Sequence, residues 1–162
     1  MTGLWVTIAA LVVVLVLGAW WKFNNGRMRA VSKSGGAGVS VSTGVPGSAP
    51  SSASLGNEEL RSFVASAQGG GLGQQATLVQ FSTAFCQPCR ATRQILAEVA
   101  DMVDGVRHVE IDAESHLDLV RSLDIRRTPT VLIVDSQGEI QHRAAGQPRK
   151  ADVIQALGAV IS

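Results

Sequence analysis

The chain has no tyrosine, only 4% aromatic residues and only two cysteines among its 162 residues. Each scarcity excludes something. Few aromatic rings leave few platforms on which nucleic-acid bases could stack. Two cysteines, Cys86 and Cys89, cannot make a structural disulfide framework, so any disulfide must lie inside the single CxxC. Acidic residues are also missing from the first 56 positions, where Lys22, Arg27, Arg29 and Lys33 give a charge of +4. All 13 acids and the other 10 bases follow, leaving the remainder at −3. A mildly acidic body behind a short basic collar is not the electrostatic footprint of a nucleic-acid binder.

What the amino-terminal end has in abundance is apolar length. After a tip of residues 1–3, Leu4 to Trp21 (LWVTIAALVVVLVLGAWW) run for 18 residues without a charge. At about 1.5 Å per residue a helix there is about 27 Å long, close to a hydrocarbon core of roughly 30 Å. Trp5, Trp20 and Trp21 flank the run, where amphipathic rings favour the headgroup level. A chain this small could hardly cover such a helix on all sides. A cleaved signal peptide would want a basic start and small residues directly after the apolar core, and neither is present. An uncleaved single-pass membrane anchor is expected over residues 4–21.

The basic collar, residues 22–33, follows that span, and no Lys or Arg precedes it. The positive-inside rule then predicts an outside amino terminus and a cytoplasmic body. Residues 34–56 are small and uncharged, with two prolines and no aromatic residue. Such a stretch cannot bury enough apolar surface to offset its ordering entropy, and a flexible linker with a mean reach of roughly 25 Å is expected.

Residues 57–162 read as one domain. A helix is expected from Asn57, with Leu60, Phe63, Val64 and Ala67 on one face and Gly69-Gly70-Gly71 as its stop. Thr77 to Ser82 reads as a strand, Pro88 to Val103 as a long helix, and Val106 to Ile111 as an alternating strand. A short helix around Leu117, Val120 and Leu123 follows. Thr130 to Val134, a turn at 135–138 and Glu139 to Ala145 read as a hairpin, and Ala151 to Val160 as a closing helix. The order α-β-α-β-α-β-β-α calls for a central mixed sheet flanked by helices on both faces.

Both cysteines therefore sit between a strand end and the first turn of a helix. Pro88 suits that turn because its missing N–H costs nothing there. Cys86 faces the unpaired amides and positive dipole end of the helix, which stabilise a thiolate, and Arg90 adds a positive charge. Cys89, one turn further in, would be more covered and able to attack a mixed disulfide on Cys86. A metal site would need about four ligands, whereas His108, His116 and His142 fall in separate elements.

With these residues in view, Thr77 to Gly158 resembles the thioredoxin family. FCQPCR matches that family's aromatic-Cys-x-Pro-Cys-basic active site, implying Cys86 as nucleophile and Cys89 as resolving thiol. Arg127-Thr128-Pro129-Thr130 falls where the family has a cis-proline facing the active site, and Gly146 matches the glycine bordering its substrate groove. The resemblance thus implies a groove formed by Phe85, Gln87, Pro88, Thr128 and Gly146, with Pro129 among the active-site residues. It also implies protein disulfides or dithiols as substrates, an unidentified electron donor, and no cofactor or metal.

Three departures stand out. Phe85 and Gln87 replace the family's usual Trp and Gly around the first cysteine. Gln80 occupies the place of its buried acid, and His108 that of a lysine accompanying the acid. The family's first strand has no evident counterpart ahead of the first domain helix. If the strands holding Gln80 and His108 are neighbours, a neutral His108 could accept the proton that Cys89 must lose. The alternative is a solvated histidine with water as acceptor.

The function expected from all this is a membrane-tethered thiol–disulfide oxidoreductase, reducing protein disulfides at the cytoplasmic face. Two alternatives remain open on the sequence alone. One is extracytoplasmic exchange of the cytochrome c maturation type; the other is a non-enzymatic redox-sensing adaptor.

Overall fold

Ala76–Ser82 is buried along its whole length, as expected of a strand inside a sheet covered on both faces. The structure, a computed structural model, describes residues 2–24, 27–31, 52–66 and 71–162. Along it run α1 (Thr2–Asn24), β1 (Arg29–Ala30), α2 (Ser52–Ser66), β2 (Ala76–Ser82) and α3 (Gln87–Met102). Then come β3 (Val106–Asp112), α4 (Leu117–Ser122), β4 (Thr130–Asp135), β5 (Ile140–Ala145) and α5 (Lys150–Ile161). Met1, Asn25, Gly26 and Lys33, residues 34–51 of the expected linker, and Ala67 with Gly69-Gly70 lie outside the described residues.

The sheet order is β1-β5-β4-β2-β3, with β2 and β3 parallel and the other neighbours antiparallel. Alternation along the strands divides the core in two. Val79 and Phe81 of β2, Ile111 of β3 and Leu132 of β4 pack with Leu60 and Val64 of α2 and Leu119 of α4. Ala76, Leu78, Val131 and Ile133 face the other way, onto Leu96 and Val99 of α3 and Val153 and Leu157 of α5. The expected mixed sheet between two helical layers is what forms.

Two boundaries differ from expectation. First, the collar supplies a strand: Arg29 pairs with Arg143 and Ala30 with His142, and the Val31 amide donates to the Gln141 carbonyl at 2.7 Å. Two residues of basic and small character carry no alternation, so the sequence pattern could not reveal an edge strand there. Second, the helix expected from Asn57 starts at Ser52, taking in five residues assigned to the linker. Gly56 reads as a breaker in sequence, but in the fold it is buried where α2 crosses α4. A Cβ at Gly56 would stand 2.9 Å from the Ser122 carbonyl oxygen and 3.1 Å from Leu123 Cδ2.

That contact sets two effects against each other in Gly56→Ala. Helix propensity favours alanine by about 1 kcal/mol, whereas forcing α2 off a backbone carbonyl costs about 1–3 kcal/mol. Steric cost should win because the obstructing atom is backbone. A net loss of about 1 kcal/mol in urea unfolding is the expected result, and a gain would show that α2 has room to move.

Helix α1 extends over 23 residues, and Val6, Ile8, Leu11 to Leu17 and Trp20 are exposed on it. Among the described residues, no helix is long and apolar enough to cross a membrane. The span over residues 4–21 remains an expectation of the sequence.

Candidate active site

Strand β2 delivers the chain to the cysteines and α3 takes it away. Cys86 caps α3 with extended backbone (φ −83°, ψ 99°), and the Cys89 amide donates to its Sγ at 3.2 Å. Pro88 lies in the first turn, where no amide is needed. Cys86 is half-buried, while Cys89 is only 2% exposed, so one sulfur is presented and the other is covered. They are joined as a disulfide. Phe85 is 96% exposed, and Gln87 and Pro88 are exposed beside it.

The Thr128–Pro129 bond is cis, as the resemblance implied. Pro129 is buried, its carbonyl accepts from the Gly146 amide at 2.7 Å, and Gly146 takes φ +97°, where a side chain would be strained. Pro88, Thr128, Pro129 and Gly146 line one groove of about 630 Å³. Thr128 also reaches toward the cysteine loop, with 3.4 Å between its Oγ1 and that of Thr83.

Beneath the cysteines the structure redraws the expected polar pair. Gln80 is fully buried on the α3 side of β2, and its Nε2 donates to the Cys89 carbonyl at 3.0 Å. Its register partner on β3 is Glu110; His108 stands opposite Leu78. Glu110, not His108, lines the cleft of about 350 Å³ that also touches Cys86 and Cys89. Arg93 on α3 grips Glu110 through Nε at 2.6 Å and Nη2 at 2.7 Å, and Ser82 Oγ donates to it at 2.6 Å. Burial pushes Glu110 upward, but the hydrogen bonds from Arg93 and Ser82 and the Arg93 charge outweigh it and hold the carboxyl below its ordinary value. Glu110 is the residue that sequence reasoning missed. Its signal was the strand alternation that placed it on His108's face, one step nearer the cysteines.

His108 is half-buried and its Nε2 has no hydrogen-bond partner. Burial lowers its pKa, opposed by the Glu110 charge and aided by that of Arg93. The folded protein therefore resists protonating His108, whereas the unfolded chain takes up the proton below about pH 6.5. Stability from this group is complete above that pH and declines as pH falls toward the folded-state value. His108→Gln should flatten the stability profile below about pH 6.5, read by urea midpoints. An unchanged slope would assign the acid sensitivity elsewhere.

The family model for thioredoxin matches residues 54–159. The chain belongs to the thioredoxin family. It is 31% identical over 86 residues to the chloroplastic thioredoxin M3 of Oryza sativa subsp. japonica, covering 52% of this chain and 49% of that protein. With the thioredoxin of Mycoplasma pneumoniae it shares 27% identity over 78 residues, covering 48% and 76% of the two chains. Among solved structures it superposes on chloroplastic thioredoxin z with a TM-score of 0.51 at 26% identity, over 64% of this chain and 88% of that one. The chain thus spans about half the length of the rice protein. Within that fold, Gln80 stands buried beneath Cys89 and the Arg93–Glu110 pair lies beside it.

Proposed function

We propose that this chain is a membrane-tethered thiol–disulfide oxidoreductase that reduces protein disulfides at the cytoplasmic face. The redox part rests above all on the Cys89 amide donating to Cys86 Sγ at the open end of α3, which stabilises negative charge on the presented sulfur. In the reduced chain, the Cys86 thiolate attacks one sulfur of a substrate disulfide; a mixed disulfide forms and the first substrate thiolate leaves. Cys89 then loses its proton and attacks Cys86 Sγ, releasing the second substrate thiolate. Two electrons have passed to the substrate and the chain is left with its Cys86–Cys89 bond. A dithiol reductant returns two electrons to restart the cycle. During attack the substrate lies extended along Thr128, Pro129 and Gly146, bordered by Phe85, Gln87 and Pro88.

The proton of Cys89 passes to water in the 350 Å³ cleft. Gln80 has no basic site. His108 has the better-matched basicity but does not line the cleft, and Glu110, which does, is a weakened base because Arg93 holds it ionised.

What supports the tether is the uncharged 18-residue run within the 23-residue helix α1. What supports the cytoplasmic face is the basic collar. The full chain should catalyse reduction of insulin by dithiothreitol, and no acceleration would refute the enzymatic reading in favour of an adaptor. Single cysteines introduced after residue 150 into a cysteine-free chain should resist an impermeant label in intact cells. Labelling from outside would reverse the topology.

A further inference from the structure

The collar enters the wall of the substrate groove. Arg27 lines the groove of about 630 Å³ together with Pro88, Pro129 and Gly146, only three positions beyond the end of α1. The residues after it hold the segment on the domain. Met28 packs on the α3–α5 core, Arg29 and Ala30 pair with β5, and the Val31 amide donates to the Gln141 carbonyl at 2.7 Å. The body that carries the cysteines therefore begins at the collar, ahead of the stretch expected to be a linker.

Covalent geometry then limits how far the active site can stand from α1. At about 3.6 Å per residue, Arg27 is no more than about 11 Å from Asn24. Across the sheet, β5 and β4 lie between β1 and β2, the strand that delivers Cys86. Three strand spacings come to about 14 Å. With the steps along the strands included, the cysteines lie within roughly 40 Å of the end of α1.

We infer that the substrates are disulfides held close to the membrane surface, in juxtamembrane segments of other membrane proteins. The inference rests on the tether and the redox reading above and deepens them. A disulfide within reach of a tethered site meets it at high effective concentration, and one that the connection cannot span meets almost none. The reach is set by the residues between α1 and β1, because β1 already belongs to the sheet.

The test places the full chain, reduced beforehand, in phosphatidylcholine vesicles with one of two single-span peptides. In each, the membrane helix continues as an (EAAAK)-type stalk of about five or about forty residues, roughly 8 or 60 Å tall. Both stalks end in the same disulfide loop with a fluorophore–quencher pair, so the peptides share the bilayer and differ only in height. Reduction moves two electrons from the Cys86–Cys89 dithiol to the peptide disulfide, and it should be about tenfold faster on the short stalk. Inserting about 30 Gly/Ser residues between Asn25 and Gly26, ahead of β1, adds roughly 30 Å of mean reach and should bring the ratio toward one. The same insertion between Gly44 and Val45, behind β1, should leave the ratio intact. Equal rates on the two stalks in the unaltered chain, or a ratio that responds alike to both insertions, would overturn the inference. A chain that fails to float with the vesicles lacks the tether, and one that leaves a soluble disulfide peptide oxidised lacks the chemistry. Either result withdraws the inference together with that reading.

Discussion

Cys89→Ser is expected to accumulate covalent adducts with disulfide-bearing proteins, whereas Cys86→Ser accumulates few. The asymmetry follows from position. Cys86 is half-buried beside the cleft, with the Cys89 amide pointing at its Sγ, while Cys89 is only 2% exposed under the first turn of α3. Nucleophilic attack needs both thiolate character and access, and only Cys86 has the two together. Without Cys89 the mixed disulfide on Cys86 has no internal thiol to release it and persists. Without Cys86, the covered Cys89 reacts slowly, so an adduct yield lower by about an order of magnitude is expected. Catalytic turnover is lost in both variants. Non-reducing electrophoresis followed by mass spectrometry of the adducts reads the ratio, and equal yields would reverse or erase the division of roles.

Gln80→Asp should convert a pH-indifferent position into one of the most pH-sensitive in the fold. Gln80 is fully buried and its Nε2 lies 3.5 Å from Glu110 Oε1, with Glu110 held ionised by Arg93. A carboxylate in that place is disfavoured twice, by burial and by a like charge, and both push its pKa upward. A rise of about 3 units corresponds to about 4 kcal/mol. The sign follows from proton counts. As pH rises past about 4, the unfolded chain gives up its proton while the folded one keeps it, so stability relative to the parent falls until the folded-state value is passed. The variant should therefore lie closest to the parent near pH 4 and lose most by about pH 8. Parallel urea-midpoint profiles for the two proteins would show that the site is wetter or less charged than its geometry implies.

The chemistry of this site was legible in the sequence because local rules write it. A strand end, a CxPC and a helical repeat suffice to place Cys86 at a helix start and Cys89 one turn in. The family resemblance brought Pro129 and Gly146 across from a distant hairpin. What stayed hidden depends on register and approach. Alternation put His108 and Glu110 on one face of β3, but only the pairing of Gln80 with Glu110 and of Leu78 with His108 decides which one meets the cysteines. His108 was singled out for its intrinsic pKa; position favoured Glu110. Gly56 looked like a boundary because a glycine's role in letting two helices approach is invisible without the second helix. Arg27 carried a message about membranes in sequence and lines a groove in the fold.

The pairing of Arg29 with Arg143 and of Ala30 with His142 changes how the chain bears load. Only residues 25–28 separate the end of α1 from the sheet, a step of about 18 Å at full extension. Beyond it, α2 packs its Leu60 and Val64 against Val79 and Phe81 of the same sheet, so β1 and α2 belong to one body. Tension applied through α1 reaches the edge of the sheet first and must peel β1 from β5 before it acts on α2.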